Sequence, residues 1–302
     1  LNMELIYEFS HGTLQVSQTK LISVLHGSPN VNMRLIAADR SIKQSVGMRK
    51  LIARINKRVI YLGTCISLRL VYELSDQYLL LSDRFERTFM EMAGIKQANK
   101  LSSITNPLTI GGNGNLPCHK KKQVLYVGRM DILNKNVDRI VSAWGKLSER
   151  YSDWEMVLVG DGPDRRYLEE LVVNKGIKNI QFIGFIKEEP IKYYNDASIF
   201  ILTSDLEGFG LVITEAMAFA CVPVVYASYP AVYDIIEDGK SGVILPFPYD
   251  EEYACAQLSY LIENENVRNN MSKNAIARAQ FFSPDKIVEK WEGLFARLLE
   301  IN

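Results

Sequence analysis

Two glutamates, Glu207 and Glu215, stand eight positions apart in SDLEGFGLVITEAMAFACVPVV, residues 204–225. The apolar runs SIFILT and VPVVY that bracket them read as strands covered on both faces. Between these runs, Gly208 and Gly210 let the backbone approach another group closely and open a helix. A carboxylate in the first turns of that helix is stabilised by the macrodipole, which accounts for Glu215. Glu207, beside the glycines, has no such ready explanation. The free N–H groups at the helix start suit an anion. Two cations join the set: Arg129 ends the run KQVLYVGR (122–129) and Lys135 follows six residues later. At the carboxyl end of a parallel strand, both can reach the crevice where ligands of such sheets bind.

The elements that must position these residues alternate along the second half of the chain. Strands read at KQVLYVGR, WEMVLVG, NIQFIGF, SIFILTS, VPVVY and GVILP. Between them come helical spacing at Val137, Ile140, Val141, Trp144 and Leu147, the helix RRYLEELVVNK stopped by Gly176, and the short helix EPIKYYNDA. Strand and helix in alternation predict an α/β fold with a parallel, doubly wound sheet. The tail after Pro248 is helical, its last helix opening on Ser283 and Pro284. The first half is shorter, with strands at TKLISVLHG, YLLLS and LSSITNP, and a Gly/Pro/Asn/Lys-rich stretch at 106–122 marks the linker. The reading divides the chain into a partial domain at 1–110, a linker at 111–122 and a second domain at 123–302.

Composition excludes several classes. The 302 residues carry 35 basic and 35 acidic side chains, so no overall field steers the protein to nucleic acid. Cys65, Cys118, Cys221 and Cys255 are scattered, without CxxC pairs, and read as reduced thiols of a cytoplasmic protein. No apolar run is long enough to span a bilayer, and none reads as a signal peptide. One local feature departs from this neutrality: from Arg40 to Arg69 there is no acidic residue. Over 42–62, Met48, Ile52, Ile55 and Val59 share one helix face and Lys43, Lys50, Arg54 and Lys57 the opposite one. That pattern fits either a solvated basic face over a packed stripe or a helix resting on an anionic membrane surface.

Taken in order, YVGRM, KNVDRIVSAW, LVGDGP, FIGF, SDLEGFGLVITEAMA, VPVV and DIIEDGKSGVILP resemble the donor-binding half of a family 4 glycosyltransferase. The resemblance covers nearly all of 122–300 and implies the GT-B architecture, two Rossmann-like domains facing a cleft. LISVLHG and DQYLLLS resemble later strands of that family's acceptor-side domain. Nothing matches its first strand and glycine-rich loop, so the N-terminal domain is expected to be incomplete and the copy N-terminally truncated. In this family two glutamates separated by seven residues mark the donor site of retaining enzymes. The resemblance implies that Glu207 holds the sugar or its developing charge and that Glu215 accepts from the ribose. Eight residues of helix rise about 12 Å, near the distance from sugar to ribose. It implies further that Arg129 and Lys135 meet the diphosphate, with the turn Gly208, Phe209, Gly210 and Leu211 behind it. Gly160 of GDGP and Ile186 of GFI would line the donor crevice, and His26, ending SVLHG, would face the sugar and acceptor as a catalytic residue. Three positions depart from the pattern: Asn136 follows Lys135 where the family has glycine, Ala220 replaces a glycine, and Asp234 stands where Glu is usual.

The implied activity is transfer of a sugar from a nucleotide diphosphate sugar to a glycan or lipid-linked acceptor, in cell-surface polysaccharide synthesis. No cofactor or metal is implied, since the chain has no DxD triplet and Arg129 and Lys135 supply positive charge. The expected location is cytoplasmic, with peripheral contact to the inner face of the membrane through 42–62 as an addition. Two alternatives remain: a non-catalytic, truncated nucleotide-sugar-binding protein, and another GT-B enzyme such as an epimerase or phosphorylase.

Overall fold

A computed structural model of the chain describes residues 20–33, 47–111 and 119–299, with the side chains of 49 and 50 excepted. The predicted Lys43, most of the linker and the first 19 residues lie outside that set.

The described residues form two parallel sheets. The first has strands β1 (Ile22–Leu25), β2 (Gln77–Leu80) and β3 (Leu101–Ser103) in that order. Between β1 and β2 runs α1 (Gly47–Leu74), and between β2 and β3 runs α2 (Glu86–Ala93). Leu79 and Leu80 are wholly buried, as a strand covered on both sides must be. Gly94, left-handed at φ 66°, stops α2.

The second sheet holds β4 (Lys121–Val127), β5 (Glu155–Val159), β6 (Ile180–Gly184), β7 (Ala197–Leu202), β8 (Val222–Tyr226) and β9 (Val243–Leu245). Their spatial order is β6-β5-β4-β7-β8-β9, all parallel, so the winding reverses between β4 and β7. Ligands of open α/β sheets bind at such a reversal, outside the carboxyl ends of the strands. The connecting helices are α3 (Val137–Leu147), α4 (Arg165–Lys175), α5 (Ile191–Asp196), α6 (Leu211–Ala218) and α7 (Val232–Ile235). Every residue of β7 and β8 is buried, and α3 buries the five apolar positions its spacing predicts. β4 begins at Lys121, inside the stretch read as linker.

Among the described residues, α8 (Glu251–Glu263), α9 (Glu265–Ala279) and α10 (Pro284–Leu299) follow the second sheet. On sequence alone α10 falls in the second domain, yet its apolar face covers the first sheet. Ile287 and Leu294 form one cluster with Leu79 and Ile104, with Trp291, Leu298, Ile22 and Val24 packed around it. The i, i+4, i+7, i+11 spacing of those four helical residues makes one stripe, which needs an apolar partner, and the first sheet supplies it. The domains are further tied by Asp234, whose carboxylate accepts from Ser82 Oγ and from Arg84 Nε at 2.6 Å. The shorter Asp reaches both donors from α7, while Arg278 holds the backbone behind it at Asp234 O and Ile235 O.

The helix over 42–62 departs from one of its two expected readings. Met48, Ile52, Ile55 and Val59 are 50–71% exposed, so the described residues do not cover that stripe. It continues through Leu62, Ile66 and Leu70, also exposed. The buried face of α1 is instead the one bearing Thr64, Leu68 and Tyr72. No described helix is long and apolar enough to cross a membrane.

Candidate active site

The carboxyl ends of β4 and β7 bring Lys135 to Glu207, Nζ to Oε1 at 2.6 Å, with side chains 21% and 12% exposed. The turn bearing Lys135 is fixed from behind. Asp205 N donates to Asn134 O at 2.7 Å, and Thr203 Oγ1 donates to Asn136 O at 3.0 Å. Asn136 itself is left-handed, at φ 49° and ψ 46°. That is the conformation a glycine would take, and Asn is among the side chains that tolerate it, so the departure from glycine keeps the turn. Arg139 pairs with Asp205 at 2.8 Å and lies over the rings of Tyr226 and Tyr249, at 5.1 and 4.9 Å to their centroids. This strut sets the loop between β7 and α6 that carries Glu207.

Around Glu207 stand Lys135 and two buried phenols. Burial, with the charge of Glu207 as a smaller cause, pushes the hydroxyls of Tyr126 and Tyr229 well above the usual tyrosine range. Both therefore stay protonated at neutral pH and donate: Tyr126 to Arg129 O at 2.7 Å, Tyr229 to Phe209 O at 3.4 Å. Gly210 opens α6 at φ 91°, where a Cβ would lie 2.7 Å from the Tyr229 hydroxyl. A Cβ on Gly208 would lie 2.3 Å from His26 O. The end of β1 thus touches the turn that follows Glu207, and it is the backbone of His26 that does so. The His26 side chain is exposed.

Glu215 lies on α6 but is not one helical run from Glu207. The helix begins only at Leu211, so the expected 12 Å rise along eight helical residues does not apply. Its carboxylate is occupied within the protein, accepting from Tyr194 OH at 2.9 Å and from Thr109 Oγ1. Burial and the Glu215 charge hold the Tyr194 hydroxyl protonated. Arg129 is exposed, and the nearest carboxylate to it is Asp131 at 4.0 Å, so it does not join the Lys135–Glu207 pair. Gly160 has a packing reason of its own. At φ 128° its Cβ would sit 1.9 Å from Gly128 O, so only glycine lets the ends of β4 and β5 meet. Ile186 is half-buried against the core, whereas the preceding Phe185 is 73% exposed at the end of β6. An exposed aromatic next to a strand-end glycine is a feature of FIGF that spacing rules alone pass over.

The two facing parallel-sheet units and the strand-end crevice are those of a GT-B glycosyltransferase. The match to the family model for "Glycosyl transferases group 1" spans residues 113–278, more than half of the chain, and the chain belongs to that family. A Haemophilus influenzae uncharacterized glycosyltransferase is 30% identical over 199 residues, covering 66% of this chain and 56% of that protein. A GalNAc-α-(1→4)-GalNAc-α-(1→3)-diNAcBac-PP-undecaprenol α-1,4-N-acetyl-D-galactosaminyltransferase from Campylobacter jejuni is 30% identical over 196 residues, covering 60% and 53%. The chain spans about half the length of these two relatives. Among solved structures, Anabaena HepE in complex with UDP superposes with a TM-score of 0.70 at 18% identity, over 93% of this chain and 73% of that one. S. aureus TarM, with UDP among its ligands, gives 0.70 at 18% identity over 91% and 50%. At such identity these likenesses establish the fold.

Proposed function

We propose that the protein is a retaining glycosyltransferase that moves a sugar from a nucleoside diphosphate sugar to a glycan or lipid-linked acceptor in cell-surface polysaccharide synthesis. The single observation that carries the reading is the Lys135–Glu207 pair at 2.6 Å, held at the winding reversal by the backbone turn that opens α6. In this reading Lys135 turns from Glu207 to the incoming diphosphate, and Arg129 approaches it from solvent. Glu207 is then free to face the transferred sugar, where a carboxylate stabilises the positive charge that develops as the anomeric bond breaks. The N–H groups of Phe209, Gly210 and Leu211 complete the diphosphate cradle at the helix N-terminus. Glu215 orders Tyr194 and Thr109 and keeps lone pairs for ribose hydroxyls. The His26 imidazole reaches the sugar from the opposite wall. Lys135 and Arg129 supply the charge, so no metal is required.

Calorimetry with UDP and GDP sugars in the presence of EDTA tests the reading. Binding that survives chelation is the expected result, and absence of binding by every nucleoside diphosphate defeats it. Proton NMR of slow donor hydrolysis reports the stereochemistry, with release of the anomer of unchanged configuration expected. Phe185 offers a stacking face to the nucleobase, and base–aromatic stacking contributes about 1–3 kcal/mol. Phe185→Ala should therefore weaken UDP binding by roughly 5- to 150-fold without unfolding the domain, because the ring is exposed in the free protein.

The outward stripe of α1 supports peripheral contact with a membrane. Its apolar residues are exposed along with Arg54, Lys57 and Arg58, so attachment should combine apolar contact with a salt-sensitive electrostatic part and resist salt more than a purely electrostatic contact would. Val59→Gln combined with Leu62→Gln should reduce co-sedimentation with anionic vesicles. Unchanged sedimentation would remove the membrane from the proposal.

A further inference from the structure

His26 and Glu207 stand on opposite sheet units, so the gap between them depends on what fixes one unit against the other. At Gly208 the two walls touch, since a Cβ there would lie 2.3 Å from His26 O and 3.2 Å from Gly27 Cα. Elsewhere they part around a cavity of about 510 Å³, with Asn30 and Thr88 on one wall and Tyr229 and Tyr233 on the other. Arg84 also lines that cavity, and it donates to Asp234 across the gap at 2.6 Å.

Asp234 grips the first unit beside His26. β1 and β2 are neighbours with Leu25 paired to Leu80, so His26 and Ser82 leave adjacent strand ends, on strands about 4.8 Å apart. Ser82 is buried, and its hydroxyl accepts from Arg84 N at 3.1 Å while it donates to Asp234. A buried donor that loses its acceptor is costly, so this bond resists opening. The Arg84 pair adds less, because Arg84 is half-exposed.

The grip on the second unit is equally fixed. Arg278 donates to Asp234 O and, at 3.1 Å, to Ile235 O, so the backbone of α7 is held from behind. The same guanidinium lies 5.7 Å from the ring centre of Phe282, which meets Phe209 edge-on at 5.5 Å and 71°. Phe209 stands between Gly208 and Gly210 in the turn that follows Glu207. Asp234 and Glu207 are thus anchored in one packed body.

We propose that Asp234 is a positioning residue for sugar transfer: by holding Ser82 and Arg84 it fixes the wall bearing His26 against the turn bearing Glu207. The assignment rests on the glycosyltransferase reading above. Reach matters as much as charge, because both ends of the contact are fixed. An added methylene must push Ser82 away or give up one of the two donors.

The test combines small-angle scattering of the 302-residue chain, UDP affinity, and sugar release from the UDP or GDP sugar that calorimetry selects. Asp234→Ala should enlarge the scattering radius and lower turnover about 10- to 100-fold, since misplacing reacting groups by an ångström costs on that order. UDP affinity should stay within about twofold, because Lys135 and the turn 208–211 remain together on the second unit. Asp234→Glu, with the charge intact, should lower turnover to a level between the two. Arg84→Asp combined with Asp234→Arg should recover part of the turnover that either change alone removes. Arg166→Gln, on an exposed charge of α4, should alter none of these quantities. A residue that only supported α7 would lose UDP affinity in step with turnover and would gain nothing from the exchange. That pattern, or unchanged scattering and turnover in Asp234→Ala, overturns the positioning role and leaves the transferase reading intact. If Asp234→Ala does not fold, Arg84→Gln and Asp234→Glu carry the same comparison. Failure of the unaltered chain to bind any nucleoside diphosphate defeats the transferase reading, and with it the positioning role, whatever the scattering shows.

Discussion

Glu207→Ala is expected to lower turnover on the order of 10²–10³-fold while leaving donor affinity within a few fold of the unaltered enzyme. The carboxylate is proposed to act on charge that exists only as the anomeric bond breaks, and an interaction made only then appears in turnover. Donor affinity should hold for a specific reason. In the free protein Lys135 is engaged by Glu207 at 2.6 Å, so removing the glutamate releases the cation for the diphosphate. The freed cation thereby offsets whatever the glutamate gave to the bound sugar. Glu215→Ala should behave in the opposite sense, since a ribose contact is alike in ground and transition states. It also deprives Tyr194 and Thr109 of their acceptor, so it should lower thermal stability as well as affinity. Saturation kinetics on both variants separate the roles. Turnover preserved in Glu207→Ala, or lost in Glu215→Ala with affinity intact, would reverse the assignment.

The parts of this site that are legible in the sequence are those fixed by local rules. Strand-end glycines and a strand-to-helix turn can be read from spacing, and the residues beside them then fall at one end of one sheet. That is why Glu207, Lys135 and the turn 208–211 can be read, and why they meet. What cannot be read depends on which element lies across the gap. The role of Gly160 is set by Gly128 O, 32 residues away in sequence. Glu215 is occupied by Tyr194 and by Thr109 from beyond the linker, partners its own helix cannot reveal. For α1 the period-3.6 stripe is plain, but periodicity identifies a stripe without saying whether it faces a core. Here the mixed face of Thr64, Leu68 and Tyr72 packs, and the apolar one looks outward. The crossing of α10 to the first sheet is of the same kind, since its stripe is legible and its partner is not.

Lys135→Met should expose the other half of the central pair. Methionine keeps the length and apolar stem of the side chain and removes only the charge, so packing around Asn136 and Thr203 should survive. Two separate losses follow. Nucleoside diphosphate binding should weaken by about 10- to 150-fold, the worth of one charge-assisted contact of roughly 1.5–3 kcal/mol. Stability should fall too, because the Glu207 side chain, 12% exposed, then stands beside two buried phenols without its cation. Adding Glu207→Gln separates the two effects. The neutral amide needs no counter-charge, so the double variant should recover the melting temperature lost by Lys135→Met while the binding defect remains. The stability effects of the two substitutions should therefore be strongly non-additive, as expected of residues in contact. Additive effects on melting, together with unchanged UDP affinity in Lys135→Met, would mean that the ion pair is a surface contact with no part in holding the donor.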